Sequence, residues 1–113
     1  MNRIGKTGRK AERLTAKRLG GRETRASGNM VSDKGDIELD EFLIENKATE
    51  QASYGLKHEL LCKISKEALI KGKSPAFAIQ YVHGSGSPKA MGSWVAIPEY
   101  LFKELMELKK EHG

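Results

Sequence analysis

The stretch KGDIELDEFLIENKAT, residues 34–49, decides how this chain folds. Apolar and charged residues alternate along much of it, the mark of strands with one buried face. A two-residue turn at Asp40-Glu41 makes it a hairpin over residues 36–48. That turn sets Leu39 opposite Phe42, Ile37 opposite Ile44 and Asp36 opposite Glu45. Directly opposed residues share a face. One face then reads Ile37, Leu39, Phe42 and Ile44, all apolar and fit for a core. The other reads Asp36, Glu38, Leu43, Glu45 and Lys47. A four-residue loop keeps the same pairing, whereas an odd loop needs a bulge.

This register opposes two carboxylates with their Cβ atoms roughly 5 Å apart. Like charges so placed repel unless something neutralises them. A hard divalent cation does so, and two carboxylates with waters suit octahedral magnesium, with manganese as a substitute. Lys47 lies two residues beyond Glu45 and points the same way. A cation and a lysine together bind a phosphodiester, activate a water and stabilise a pentacovalent transition state. The spacing alone fits equally well with the solvent-facing polar side of an edge hairpin.

Outward from the hairpin, the pattern alternates helices and strands. Thr7 caps a first helix running to about Leu19, stopped by Gly20-Gly21. Residues 22–35 read as a loop or a short strand and then a loop. A second helix spans about Leu56 to Lys71, with Leu60, Leu61, Ile64 and Ala68 on one side. Gly72 and Pro75 end it. AFAIQYV, 76–82, reads as a buried strand, HGSGSPKAMGS, 83–93, as a flexible loop, and WVAI, 94–97, as another strand. Pro98 suits the first turn of a last helix bearing Leu101, Phe102, Leu105 and Leu108. The order predicts an α/β fold, a central mixed β-sheet flanked by helices with a crossover between strands 42–48 and 76–82.

Composition narrows the function classes. The 113 residues make one domain, 1–113. No apolar run reaches membrane-span length, so no membrane partner is expected. The basic N-terminus lacks an apolar stretch and is not expected to be a secretory signal. Cys62 is the sole cysteine, which excludes an intramolecular disulfide and a zinc ribbon and fits a reducing cytoplasm. The net charge of +5 is segregated. Residues 1–25 hold nine Lys/Arg against Glu12 and Glu23, or +7, which leaves −2 for the remainder. A basic third on a near-neutral body points to a polyanion partner, with a solvated charged helix as the plainer reading.

Two features of that third bear on the hairpin. Glu12 borders the first helix's apolar side near Ala16 and Leu19. It reads either as a third metal ligand or as an exposed partner of a nearby Lys or Arg. RASGN, 25–29, offers small residues and a hydroxyl beside Arg25, which allows close approach to phosphate or makes a plain turn.

Asp36, eight residues, then Glu45-Asn46-Lys47 resembles the signature of the PD-(D/E)XK nuclease superfamily. The wider series GRKAE, RASGN, KGDI, IENKAT and SPAFAIQY is similar to the archaeal and phage-type Holliday junction resolvases, over about residues 5–97. The resemblance implies a restriction-endonuclease-like core. It makes Glu12, Asp36 and Glu45 the metal-site acids and Lys47 the catalytic lysine. It makes the backbone carbonyl of Asn46 a further ligand, and Arg9, Arg13, Arg25 and Ser27 DNA contacts. It also implies a homodimer acting on four-way junctions, in a host's cytoplasm if phage-encoded. Gly35 stands where that family often has proline, Asn46 where an aliphatic residue is common, and loop 83–93 has no counterpart.

The sequence thus predicts a magnesium-dependent endonuclease that makes paired symmetric nicks in junctions. The alternatives are a nicking, repair or restriction-type nuclease with the same chemistry, and a non-catalytic DNA-binding protein. The last helix reads as a dimer interface or as packing on the chain's own sheet.

Overall fold

A computed structural model describes residues 13–15, 17–20 and 36–112. Its elements are β1 (Asp36–Glu38), β2 (Phe42–Thr49), α1 (His58–Ile70), β3 (Ser74–Val82), β4 (Pro88–Ala96) and α2 (Glu99–His112). The strands form one sheet in the order β1-β2-β3-β4. β1 is antiparallel to β2, β2 parallel to β3, and β3 antiparallel to β4. The fold is mixed α/β, as the alternation of periods predicts.

The hairpin register is as expected: Asp36 pairs with Glu45 and Ile37 with Ile44. Leu39 N–H donates to Phe42 O at 2.9 Å across the Asp40-Glu41 turn. Ser74 N–H then donates to Glu41 O at 2.8 Å, which ties the turn to the start of β3. On one face Ile37 and Ile44 join Ala76 and Ala78, with Leu39, Phe42 and Ile97 packed against them.

The other face is covered over part of its length. α1 lies over it, and Leu43 packs with Ile64 and Ala68. Burying a leucine side chain so contributes about 2 kcal/mol, enough to seat the helix. Its stop is a Schellman motif: Gly72 has φ +69°, Gly72 N–H donates to Leu69 O at 3.0 Å and Lys73 N–H to Ala68 O at 2.8 Å. The helical residues at 13–15 and 17–18 end likewise at Gly20, φ +84°.

The segment 83–93, expected to be a loop, is mostly strand. Only a tight turn separates β3 from β4, with His83 N–H donating to Ser87 O at 2.8 Å. Pro88 opens β4, Met91 has φ +54°, and the pairing shifts between Gln80 and Val82. Pairing with the strongly apolar β3 overrides the poor strand propensity of the glycines, serines and proline here. Gly92 is required: a Cβ there would lie 2.8 Å from Tyr81 O and 2.9 Å from Lys89 O. Among the described residues, no helix is long and apolar enough to cross a membrane.

Candidate active site

Asp36 begins β1, and Glu45 lies at its paired position on β2, where the strand runs between β1 and β3. Both are buried, at 4% and 5% exposure. This removes the solvent-facing reading of these two acids. Burial pushes the Asp36 carboxyl up from the ordinary 3.8 to about 7, with the charge and hydrogen bond of Glu45 and the charge of Glu67 adding to it. Lys63 offsets part of the rise. Near neutral pH the Asp36 carboxyl is therefore part-protonated when no cation is present.

Lys47 is on the same face, and its Nζ lies 3.2 Å from Glu45 Oε2. The Lys47 side chain is 44% exposed, so the ammonium stands at the solvent mouth of a buried carboxylate pair. Among the described residues, β1 pairs with Leu43, Ile44 and Glu45 of β2.

Glu38 shares this face but is engaged elsewhere. It pairs with Lys71 and with Lys73, whose Nζ is 3.4 Å from Oε2. The hydrogen bond from Lys71 is the main reason its pKa is lowered. Lys73 Nζ also donates to Leu39 O at 2.5 Å, so this cluster braces the hairpin turn.

Glu67 and Lys63 were not singled out in the sequence. Their signal was present: Glu67 is three residues after Ile64 and next to Ala68, the pair that contacts Leu43. Asn46 projects to the opposite face and is buried at 5%, near Gln80 at 1%. The pairings Asn46–Ala78 and Ala48–Gln80 put the two carboxamides on a diagonal, and neither has a hydrogen-bond partner among the described residues.

Of the expected site, the structure brings together Asp36, Glu45 and Lys47. Glu12, Arg9, Arg25 and Ser27 lie outside the described residues, and Arg13 is exposed on its helical turn. Among the described residues, no group of three His, Cys, Asp or Glu is placed to hold a metal ion. Two opposed buried carboxylates still fit the charge and donor preference of a hard divalent cation, whose shell waters would complete. Away from this site, an open apolar cleft of about 400 Å³ lies between α1 and the sheet, lined by Leu61, Cys62, Phe77 and Ile97 among others. No family model, curated protein or solved structure matches this chain.

Proposed function

We propose that this chain is a magnesium-dependent, structure-selective DNA endonuclease with a restriction-endonuclease-like core, acting as a Holliday junction resolvase. The observation that carries the reading is the pair Asp36 and Glu45, buried, directly opposed and flanked by Lys47. A protein keeps such a pair at a cost in stability, and a bound cation offsets that cost.

Asp36 and Glu45 hold the cation, with Glu12 and the Asn46 backbone carbonyl as further ligands. Bound magnesium supplies positive charge for the phosphodiester and a more acidic water. Lys47 positions the attacking water and stabilises charge developing on the phosphate. Arg9, Arg13, Arg25 and Ser27 hold the DNA backbone, in line with the +7 charge of residues 1–25. The resemblance further expects a homodimer, 5′-phosphate ends and paired symmetric nicks.

The test is cleavage of a synthetic four-way junction with magnesium, alongside flap, nicked and linear DNAs. Paired symmetric nicks in the junction, lost in Asp36→Asn and Glu45→Gln with junction binding retained, are the expected result. Undiminished cutting by those variants removes the site assignment. Preference for another DNA in the panel makes the chain a nicking, repair or restriction-type nuclease, and DNA binding without cutting or metal binding makes it a non-catalytic DNA-binding protein.

A further inference from the structure

A line of charge runs along the side of α1 turned toward β1. Lys63, Glu67 and Lys71 stand at four-residue steps, so they share that side, about 6 Å apart along the axis. α1 is the crossover between the parallel strands β2 and β3, so it runs against them and in the direction of β1. Alternate residues of β1 share a face and stand about 6.6 Å apart. The two spacings match, and the pairing of Lys71 with Glu38 sets their register. Glu67 then comes level with Asp36, and Lys63 one step beyond, level with Lys47, which lies two residues past Glu45 on β2. The charges of Glu67 and Lys63 both act on the Asp36 carboxyl, which agrees with this register.

The two lysines at this level are not equivalent. Lys47 Nζ touches Glu45 Oε2 at 3.2 Å. Lys63 is exposed and makes no ion pair among the described residues. Its ammonium therefore stands farther from the acids than that of Lys47. A compact charge on a flexible four-carbon stem suits a phosphate oxygen. A DNA strand carries phosphates on either side of the one that is cut, and the outer position of Lys63 matches one of these neighbours.

We infer that Lys63 is a second phosphate-binding lysine, which holds a phosphate next to the scissile one from α1 while Lys47 serves the scissile phosphate from β2. The inference rests on the nuclease reading and deepens it, because it makes α1 part of the DNA-binding surface. Lys63 fixes the position of the strand over the acids and reads no base. Lys66 lies on another side of the same helix, against the apolar cleft, and has no share in the contact.

Fluorescence anisotropy with a labelled four-way junction, over a series of salt concentrations and without magnesium, reads binding apart from cutting. Lys63→Gln should weaken binding about fivefold at 0.1 M salt and lower the slope of log affinity against log salt by about 1. Lys63→Arg should restore both, and Lys66→Gln should change neither. With magnesium, Lys63→Gln should raise KM by about fivefold and leave kcat within about twofold. Calorimetric manganese affinity should stay within about twofold of wild type. A wild type that binds and cuts the junction, with Lys63→Gln equal to it in affinity and slope, overturns the inference and leaves the nuclease reading standing. An unchanged slope with weakened manganese binding makes Lys63 a support of the acids alone and also overturns it. An equal loss in Lys66→Gln reduces the effect to overall charge and overturns the placement. A wild type that neither binds nor cuts DNA overturns both readings together.

Discussion

Lys47 Nζ lies 3.2 Å from Glu45 Oε2, on the same strand and two residues along, with the carboxylate buried and the ammonium at the surface. The contact joins a buried carboxylate to the ammonium of a half-exposed side chain, and so crosses the boundary between protein interior and solvent.

Replacing Lys47 with Met keeps most of the stem and removes the charge. If the lysine acts on water or phosphate, cleavage of a junction should fall by about 100-fold or more. Manganese binding by calorimetry should change little, because the carboxylates remain. Loss of metal binding together with cleavage would instead make Lys47 a structural partner of Glu45.

Metal binding should depend on pH through Asp36. Its carboxyl, held up near 7, must lose its proton before it can serve as a ligand. Manganese affinity should therefore rise between pH 6 and pH 8, with proton release that calorimetry in buffers of different ionisation enthalpy can measure. Affinity flat over that interval would contradict the raised pKa.

The same shift has a consequence for stability with the opposite sign. The folded pKa of Asp36 lies above its unfolded value, so the folded chain binds the proton more tightly. The resulting contribution is complete below about pH 3.8 and is lost as pH climbs to about 7. Asp36→Asn should accordingly raise the melting temperature of metal-free protein at pH 8. Magnesium should stabilise the wild type and leave that variant unmoved.

Gly92 should tolerate no side chain. A Cβ would meet the backbone oxygens of Tyr81 and Lys89 at 2.8 and 2.9 Å, and neither can turn aside as a flexible side chain would. Gly92→Ala should cost about 1–3 kcal/mol in chemical denaturation. A cost below about 0.5 kcal/mol would show that β4 shifts without penalty.

The hairpin was legible because its apolar residues alternate and a two- or a four-residue turn gives the same pairing. Ile37 and Ile44 leave one register in which both face the core, and that register fixes where Asp36 and Glu45 meet. Of β4, the end at 94–96 was legible in WVAI but the stretch 88–93 was not, because Gly92, Ser93 and Pro88 carry little strand preference of their own and acquire it from pairing with β3. The burial of the acids was also hidden. Sequence alternation separates two faces but does not say that α1 will cover the second one, as Leu43, Ile64 and Ala68 make it do. The influence of Glu67 on Asp36 depends on that same docking.

Asp36 and Glu45 are held with unequal firmness. Among the described residues, Glu45 is paired on both sides, with Asp36 of β1 and Phe77 of β3, whereas Asp36 is paired on one side only. The site therefore resembles a latch with one jaw set inside the sheet and one on its margin. The repulsion between the acids is relieved at less cost by movement of the marginal strand than by unfolding the sheet. A cation would act as the clasp, and amide exchange at Ile37 should slow on magnesium binding far more than exchange at Ile44.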